Sequence, residues 1–479
     1  MRLAFIPSAY RTIFFHALSG RLEEAGHEVF WLSPNRRWAQ WLCGHGVASD
    51  RILDITTYGP QWQHSPEPTA DDRTLLGSLE QANGWSIYDL IIMDDLLRRR
   101  SCGYAVRYLA VCARQIDAFL QQHRIEIVFA EQTWAFELLT GQVSGRLGIP
   151  YLRPVSVRIP DGRFAFFASH YEKRMLRFGQ PTDEDRAQAR IFLQSYRGRP
   201  VPPDYAAIDL SVLRFEWARA RLLIKHVLDL AGDPFDETSL RPLALIGKYL
   251  AMAARVRRNR WLVPFTKPVL PPPRPFVLFT LHQQPEASID VMGNPFCNQI
   301  EIVRAMARTL PVTHELWVKE HPIALPKRSW QFYRELAAIP GVRLVDPSAN
   351  SLTLIPHAAL VVAVTGTVCY EAALLGRPSV TMGPTVFSPV LISDTFNPYT
   401  DSLSRLLQEV KEWHPRSERE LIEFLSWLRA QSWPGSVGDA LWLPDSLESA
   451  NLARVADAFC AAMQACDKSP SDVPSQMGS

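Results

Sequence analysis

Val361-Val362-Ala363-Val364-Thr365-Gly366-Thr367-Val368-Cys369-Tyr370-Glu371 is an apolar run that stops at a Thr-Gly-Thr turn and opens directly into a helix bearing a glutamate. Four consecutive β-branched or small apolar residues predict a strand buried on both faces, as in parallel sheets. A tight glycine turn at a helix start gathers backbone N–H groups where the aligned peptide dipoles favour an anion. Thr365 and Thr367 add hydroxyls to that turn, and Glu371, one helical turn beyond Thr367, suits a ribose hydroxyl. The stretch therefore predicts a seat for the phosphate and sugar of a nucleotide. Taken alone, the tripeptide reads sooner as an ordinary strand-to-helix turn of structural use only.

Its neighbours decide the fold. Val342 to Val345 predicts a strand, Ser351 to His357 a short helix interrupted by Pro356, and Ala359 to Val364 the next strand. A helix follows to Leu375 and stops at Gly376, and Pro378 to Met382 predicts another strand. Strand alternating with helix means parallel βαβ units, whose ligands bind beyond the carboxyl ends of the strands. Two further strand ends are polar. Glu315 to Lys319 delivers Glu320, His321 and Pro322, with Pro322 ending the ladder and presenting His321 to a phosphate. Lys319 and Glu320 read as solvated strand-end charges. Phe276 to Leu281 delivers His282, Gln283, Gln284, Pro285 and Glu286, followed by a helix from about Pro295 with Asn298 and Gln299 in its first turns. Three polar strand ends of one parallel sheet converge on one crevice.

The strings FVLFTLHQQPEAS, VKEHP, IPGVRLVDPSANSLTLIPHA and VTGTVCYEAALLGRP together resemble bacterial capsule and surface-polysaccharide biosynthesis glycosyltransferases, akin to Kdo-transferases and bacterial sialyltransferases. The resemblance covers Phe276 to Gly383 well and the rest in outline. It implies a GT-B fold: α/β, with two Rossmann-like domains facing a central cleft and, here, a helical inter-domain insertion. It also implies that His321, Pro322, Thr365, Gly366, Thr367 and Glu371 contact the donor nucleotide, and it tilts the donor toward CMP-Kdo or a related acid sugar. His282, Gln283, Gln284, Glu286 and Lys319 are candidate cleft residues without an assigned role.

The first half predicts a second unit of the same type, with strands at Arg2 to Pro7, His27 to Leu32 and Ile125 to Ala130. The loop from Pro7 to Arg11 lacks a dinucleotide glycine pattern, so an acceptor-side role fits it better. Glu131, at a strand end, is the candidate catalytic base for the acceptor hydroxyl; the same residue also suits capping the helix that starts near Thr133. Asp94 and Asp95 form a rival carboxylate pair, and Asp161 reads as a turn residue.

The expected domains are 1–179, acceptor side; 180–270, a helical, proline-containing linker; 271–447, nucleotide-sugar binding; 448–467, a helix crossing back; and 468–479, a disordered tail. In the linker, Lys248, Arg255, Arg257, Arg258 and Arg260 interleave with Leu250, Met252, Val256, Trp261 and Leu262. That pattern suits an anionic membrane surface, and it suits somewhat better a surface helix packed between domains.

A formal charge of +2 over 479 residues gives no sign of general nucleic-acid binding. The scattered cysteines favour a reducing compartment, and the start MRLAFIPSAY lacks a signal-peptide pattern. The expectation is a cytoplasmic enzyme, peripheral at the inner face of the membrane, needing no cofactor and no metal, since no Asp-x-Asp element accompanies these strand ends. Its partners would be a nucleotide-sugar donor and a glycan or lipid-linked glycan acceptor. The alternatives are a nucleotide-sugar 2-epimerase and a non-catalytic polysaccharide assembly or export component.

Overall fold

The computed structural model describes residues 1–168, 174–200, 233–239, 242–441 and 443–468. The chain divides into two compact units: 1–179 with 229–242 and 430–479, and 180–228 with 243–429. The helices Asp183–Gly198 and Pro242–Leu262 thus belong to the second unit. Of the described residues in the span expected to form a separate linker, 180–200 and 243–270 fall in the second unit and 233–239 and 242 in the first, and the chain returns to the first unit at 430, well before the terminal helix Ser449–Lys468.

The first unit holds seven strands, β1 Arg2–Phe5, β2 Glu28–Ser33, β3 Ile52–Asp54, β4 Ile127–Phe129, β5 Tyr151–Ser156, β6 Arg163–Phe167 and β12 Trp433–Pro434, in the order β12-β6-β5-β4-β1-β2-β3. From β3 through β5 the pairing is parallel; β6 and β12 add antiparallel edge strands. The second unit holds β7 Phe276–Thr280, β8 Glu315–Lys319, β9 Val342–Val345, β10 Leu360–Ala363 and β11 Ser379–Thr381, all parallel, in the order β11-β10-β7-β8-β9. Both parallel portions follow the Rossmann order, with the first strand of each flanked by its second and fourth. This is the α/β pairing of Rossmann-like units expected of a GT-B chain.

Each unit has its own core. Leu3, Phe5, Phe14, Leu18, Phe129 and Phe459 are fully buried in the first, and Val277, Phe279, Ile302, Leu316, Val362 and Val380 in the second. The terminal helix completes the first core from the far end of the chain: the Phe459 ring lies 4.6 Å from that of Phe129 and 5.0 Å from that of Phe166.

Candidate functional site

The order of the second sheet brings β10, β7 and β8 side by side, so the three polar strand ends are neighbours. The point where the strand order reverses lies between β10 and β7, and here the two ends are tied together. The backbone N–H of Thr365 donates to His282 Nε2 at 3.2 Å, and the Thr365 hydroxyl donates to the Ser288 carbonyl at 2.9 Å. Both donors of Thr365 are engaged inside the protein, so Thr365 anchors the turn instead of offering its hydroxyl to a phosphate. Gly366 and Thr367, partly exposed, form its outward part. A Cβ at Gly366 would stand 3.1 Å from Ala363 Cβ, tighter than ordinary contact, and 3.6 Å from the His282 ring, an ordinary contact. An imidazole that accepts at Nε2 carries its proton on Nδ1.

The His-Gln-Gln-Pro-Glu loop is stitched from within. Gln299 accepts the His282 N–H at 2.7 Å and donates both to the His282 carbonyl at 3.1 Å and to Gln284 Oε1 at 2.6 Å. Gln284 donates in turn to Asp290 at 2.6 Å and to the Cys297 carbonyl at 2.9 Å, and the Glu286 N–H reaches Asp290 at 3.0 Å. Gln284 therefore shapes the loop, while Gln283 is half-buried and Glu286 exposed.

At the end of β8 the expectation of solvated charges fails. Glu320 is 1% exposed and accepts from Arg328 Nε, the Tyr333 hydroxyl and the His321 N–H, each at 2.8 Å. Arg328 also donates to the His282 carbonyl, so this buried pair locks the end of β8 to the end of β7. The sequence reading missed Arg328; a charge eight residues beyond a strand end carries no local signal of its partner. Lys319 is 6% exposed, and burial lowers its pKa against the opposing pull of Glu320 and Glu371. Glu371 sits in the first turn of the helix Val368–Leu374, where burial pushes its carboxyl up to about 7 while Lys319 holds it back.

His321 caps the turn Pro322–Ala324, its Nδ1 accepting from the Ile323 N–H at 3.3 Å. Burial, with the cations Lys319, Lys327 and Arg328 adding to it, lowers its pKa to about 4. His321 is thus neutral near pH 7, and with Nδ1 accepting, its proton resides on Nε2 as a donor.

Glu131 belongs to the first unit, just beyond β4, where it is ion-paired with Arg11, the first residue of the helix Arg11–Glu24 that follows β1. These strands flank the order reversal of the first sheet. Glu131 does not cap the helix Ala135–Leu147. Glu137, 1% exposed, takes that role by accepting from the N–H groups of Thr133 and Trp134. Asp94 is spent on the N–H groups of Leu96, Leu97 and Ala135, at 2.9, 2.9 and 3.0 Å, and Asp95 pairs with Arg98 and Arg99.

The family model of capsule polysaccharide biosynthesis proteins matches residues 245–409. No curated protein matches the chain. Among solved structures, the chain is similar to the KpsC beta Kdo 2,4 transferase of Thermosulfurimonas dismutans, at 14% identity over 70% of this chain and 87% of that one, with a TM-score of 0.37. It is similar also to a putative UDP-N-acetylglucosamine 2-epimerase of Listeria monocytogenes, at 13% identity over 100% and 99% of the two chains, with a TM-score of 0.29. No described helix is long and apolar enough to cross a membrane. The stretch that matches the capsule polysaccharide biosynthesis model, residues 245–409, contains the whole second sheet and its three polar strand ends.

Proposed function

We propose that this protein is a glycosyltransferase that moves a sugar from a nucleotide-activated donor onto a bacterial capsule or surface glycan, the donor being CMP-Kdo or a related acid sugar. The observation that carries the reading is the junction of β10, β7 and β8 at the order reversal of the second sheet, where His282 binds the Thr365 backbone and His321, Lys319 and Glu371 gather around it. Gly366 and Thr367 seat the donor phosphate, and Glu371 takes a ribose hydroxyl. As the bond to the anomeric carbon breaks, negative charge grows on the departing nucleotide. The Nε2–H of His321 and the buried ammonium of Lys319 are donors already in place to meet it, without reorganisation. Glu131, its carboxylate oriented by Arg11, is the base for the acceptor hydroxyl.

The test is a thermal-shift screen of the purified chain against CMP, CDP, UDP, GDP and ADP, repeated with His321→Ala and Thr367→Val. One nucleotide should raise the melting temperature, and both substitutions should abolish the rise. No rise with any nucleotide at millimolar concentration counts against the reading.

A further inference from the structure

The helix Pro242–Leu262 packs by one stripe and leaves the opposite stripe open. Val256, Asn259 and Val263 face inward, and Asn259, fully buried, donates to the carbonyls of Leu325 at 3.1 Å and Arg328 at 3.0 Å. That contact fixes the rotation of the helix on the second unit. The positions half a turn away are Ile246, Leu250, Arg257 and Trp261, which helical periodicity places in one row. Leu250 is 68% exposed and Trp261 84%, with Tyr249 and Leu262 exposed on the flanks. Single exposed apolar residues are ordinary; a row containing a tryptophan at this exposure is not.

The charge around the row has one sign. Between Glu237 and Glu286 the sequence contains no Asp or Glu, while cations recur from Lys248 to Arg274. Arg260 and Lys267 are answered by Asp346. Arg257, in the row, and Arg258, beside it, are exposed and form no ion pair among the described residues, while Arg255, four residues before Asn259, lies toward the packed stripe. An interfacial helix combines an apolar row that enters the headgroup layer with arginines whose stems pass along that row and whose guanidinium groups reach lipid phosphates. Tryptophan is the side chain suited to that boundary.

We propose that this face is a docking surface for an anionic lipid bilayer, with Leu250 and Trp261 entering the headgroup region and Arg257 and Arg258 binding acidic headgroups. Arg257, in the row, and Arg258, beside it, would alone suit any polyanion; the exposed leucine and tryptophan of that row select the lipid surface. The docking rests on the helix face and holds whichever sugar the protein transfers.

The experiment is vesicle flotation of the full chain with phosphatidylcholine vesicles and with vesicles mixed with phosphatidylglycerol, at low and high salt. A duplex DNA oligonucleotide titrated by anisotropy serves as the competing polyanion. The variants are Arg257→Gln/Arg258→Gln and Leu250→Ser/Trp261→Ser; both change only exposed positions, and their melting temperatures should match the parent. The parent should float with the anionic vesicles only, and less at high salt. The arginine variant should bind on the order of 10-fold more weakly, and the Leu250/Trp261 variant should lose flotation even at low salt. Failure of the parent to float, flotation unchanged by both variants, or DNA binding as tight as vesicle binding and unaffected by Leu250→Ser/Trp261→Ser would each overturn the proposal.

Discussion

His321 and Glu371 are displaced from their ordinary protonation ranges in opposite senses by the same cause, burial at the ends of β8 and β10. The unfolded chain ionises Glu371 near its ordinary 4.5, whereas the folded chain keeps its proton to about 7, so this group's contribution to stability is present at low pH and is lost as pH rises between those values. His321 acts in reverse: the unfolded imidazole binds a proton below 6.5 and the folded one only below about 4, so its contribution is present above 6.5 and is lost as pH falls. The two windows overlap and largely cancel in the parent. Separated, they should appear as mirror images. Glu371→Gln should gain stability relative to the parent as pH rises from 4.5 to 7, and His321→Ala should lose it relative to the parent over 4 to 6.5. Each difference should approach about 3 kcal/mol at full extent. Urea denaturation at a series of pH values measures both, and parallel profiles would show that burial is not what sets these two groups.

Among the elements, the ends of β7 and β8 are joined by the buried Arg328–Glu320 pair and the Tyr333 hydroxyl. Removing the cation leaves a carboxylate with no counter-charge at 1% exposure. Arg328→Met should therefore destabilise the protein by about 3–5 kcal/mol, while Tyr333→Phe, which removes one hydrogen bond to a charge, should cost about 1–3 kcal/mol. Equilibrium unfolding of the two variants checks the ranking. Equal, small effects would mean that Glu320 is protonated in the native protein and needs no partner. The same pair positions His321, whose N–H lies on Glu320, so Arg328→Met should also weaken any nucleotide-induced thermal shift.

Across the whole molecule, two separate cores mean that the chain need not unfold in one step. Phe459, from the terminal helix, fills the core built by β1, β4 and β6. Phe459→Ala should lower the stability of the first unit by about 3–5 kcal/mol through the cavity it leaves. In differential scanning calorimetry that substitution should shift one transition and leave the other in place. A single transition that moves as a whole would show that the two units unfold together.

The βαβ alternation from Phe276 to Met382, the two-unit α/β class and the polar character of three strand ends were all legible in the sequence, because buried parallel strands are continuous apolar runs whose ends must be polar. Local chemistry of that kind is written in adjacent residues. What only the tertiary structure decided is which partner each polar group meets. Thr365 and Gln284 are consumed by anchoring, and Glu320 is buried on Arg328 instead of solvated. Glu137 instead of Glu131 caps a helix, and Glu131 meets Arg11 of the helix that follows a neighbouring strand. Likewise the return of the chain to the first unit at 430 has no local mark, since it depends on a core assembled from residues far earlier in the chain. Strand order sets those meetings, and strand order follows from packing over the entire sheet, beyond the reach of any single stretch of sequence.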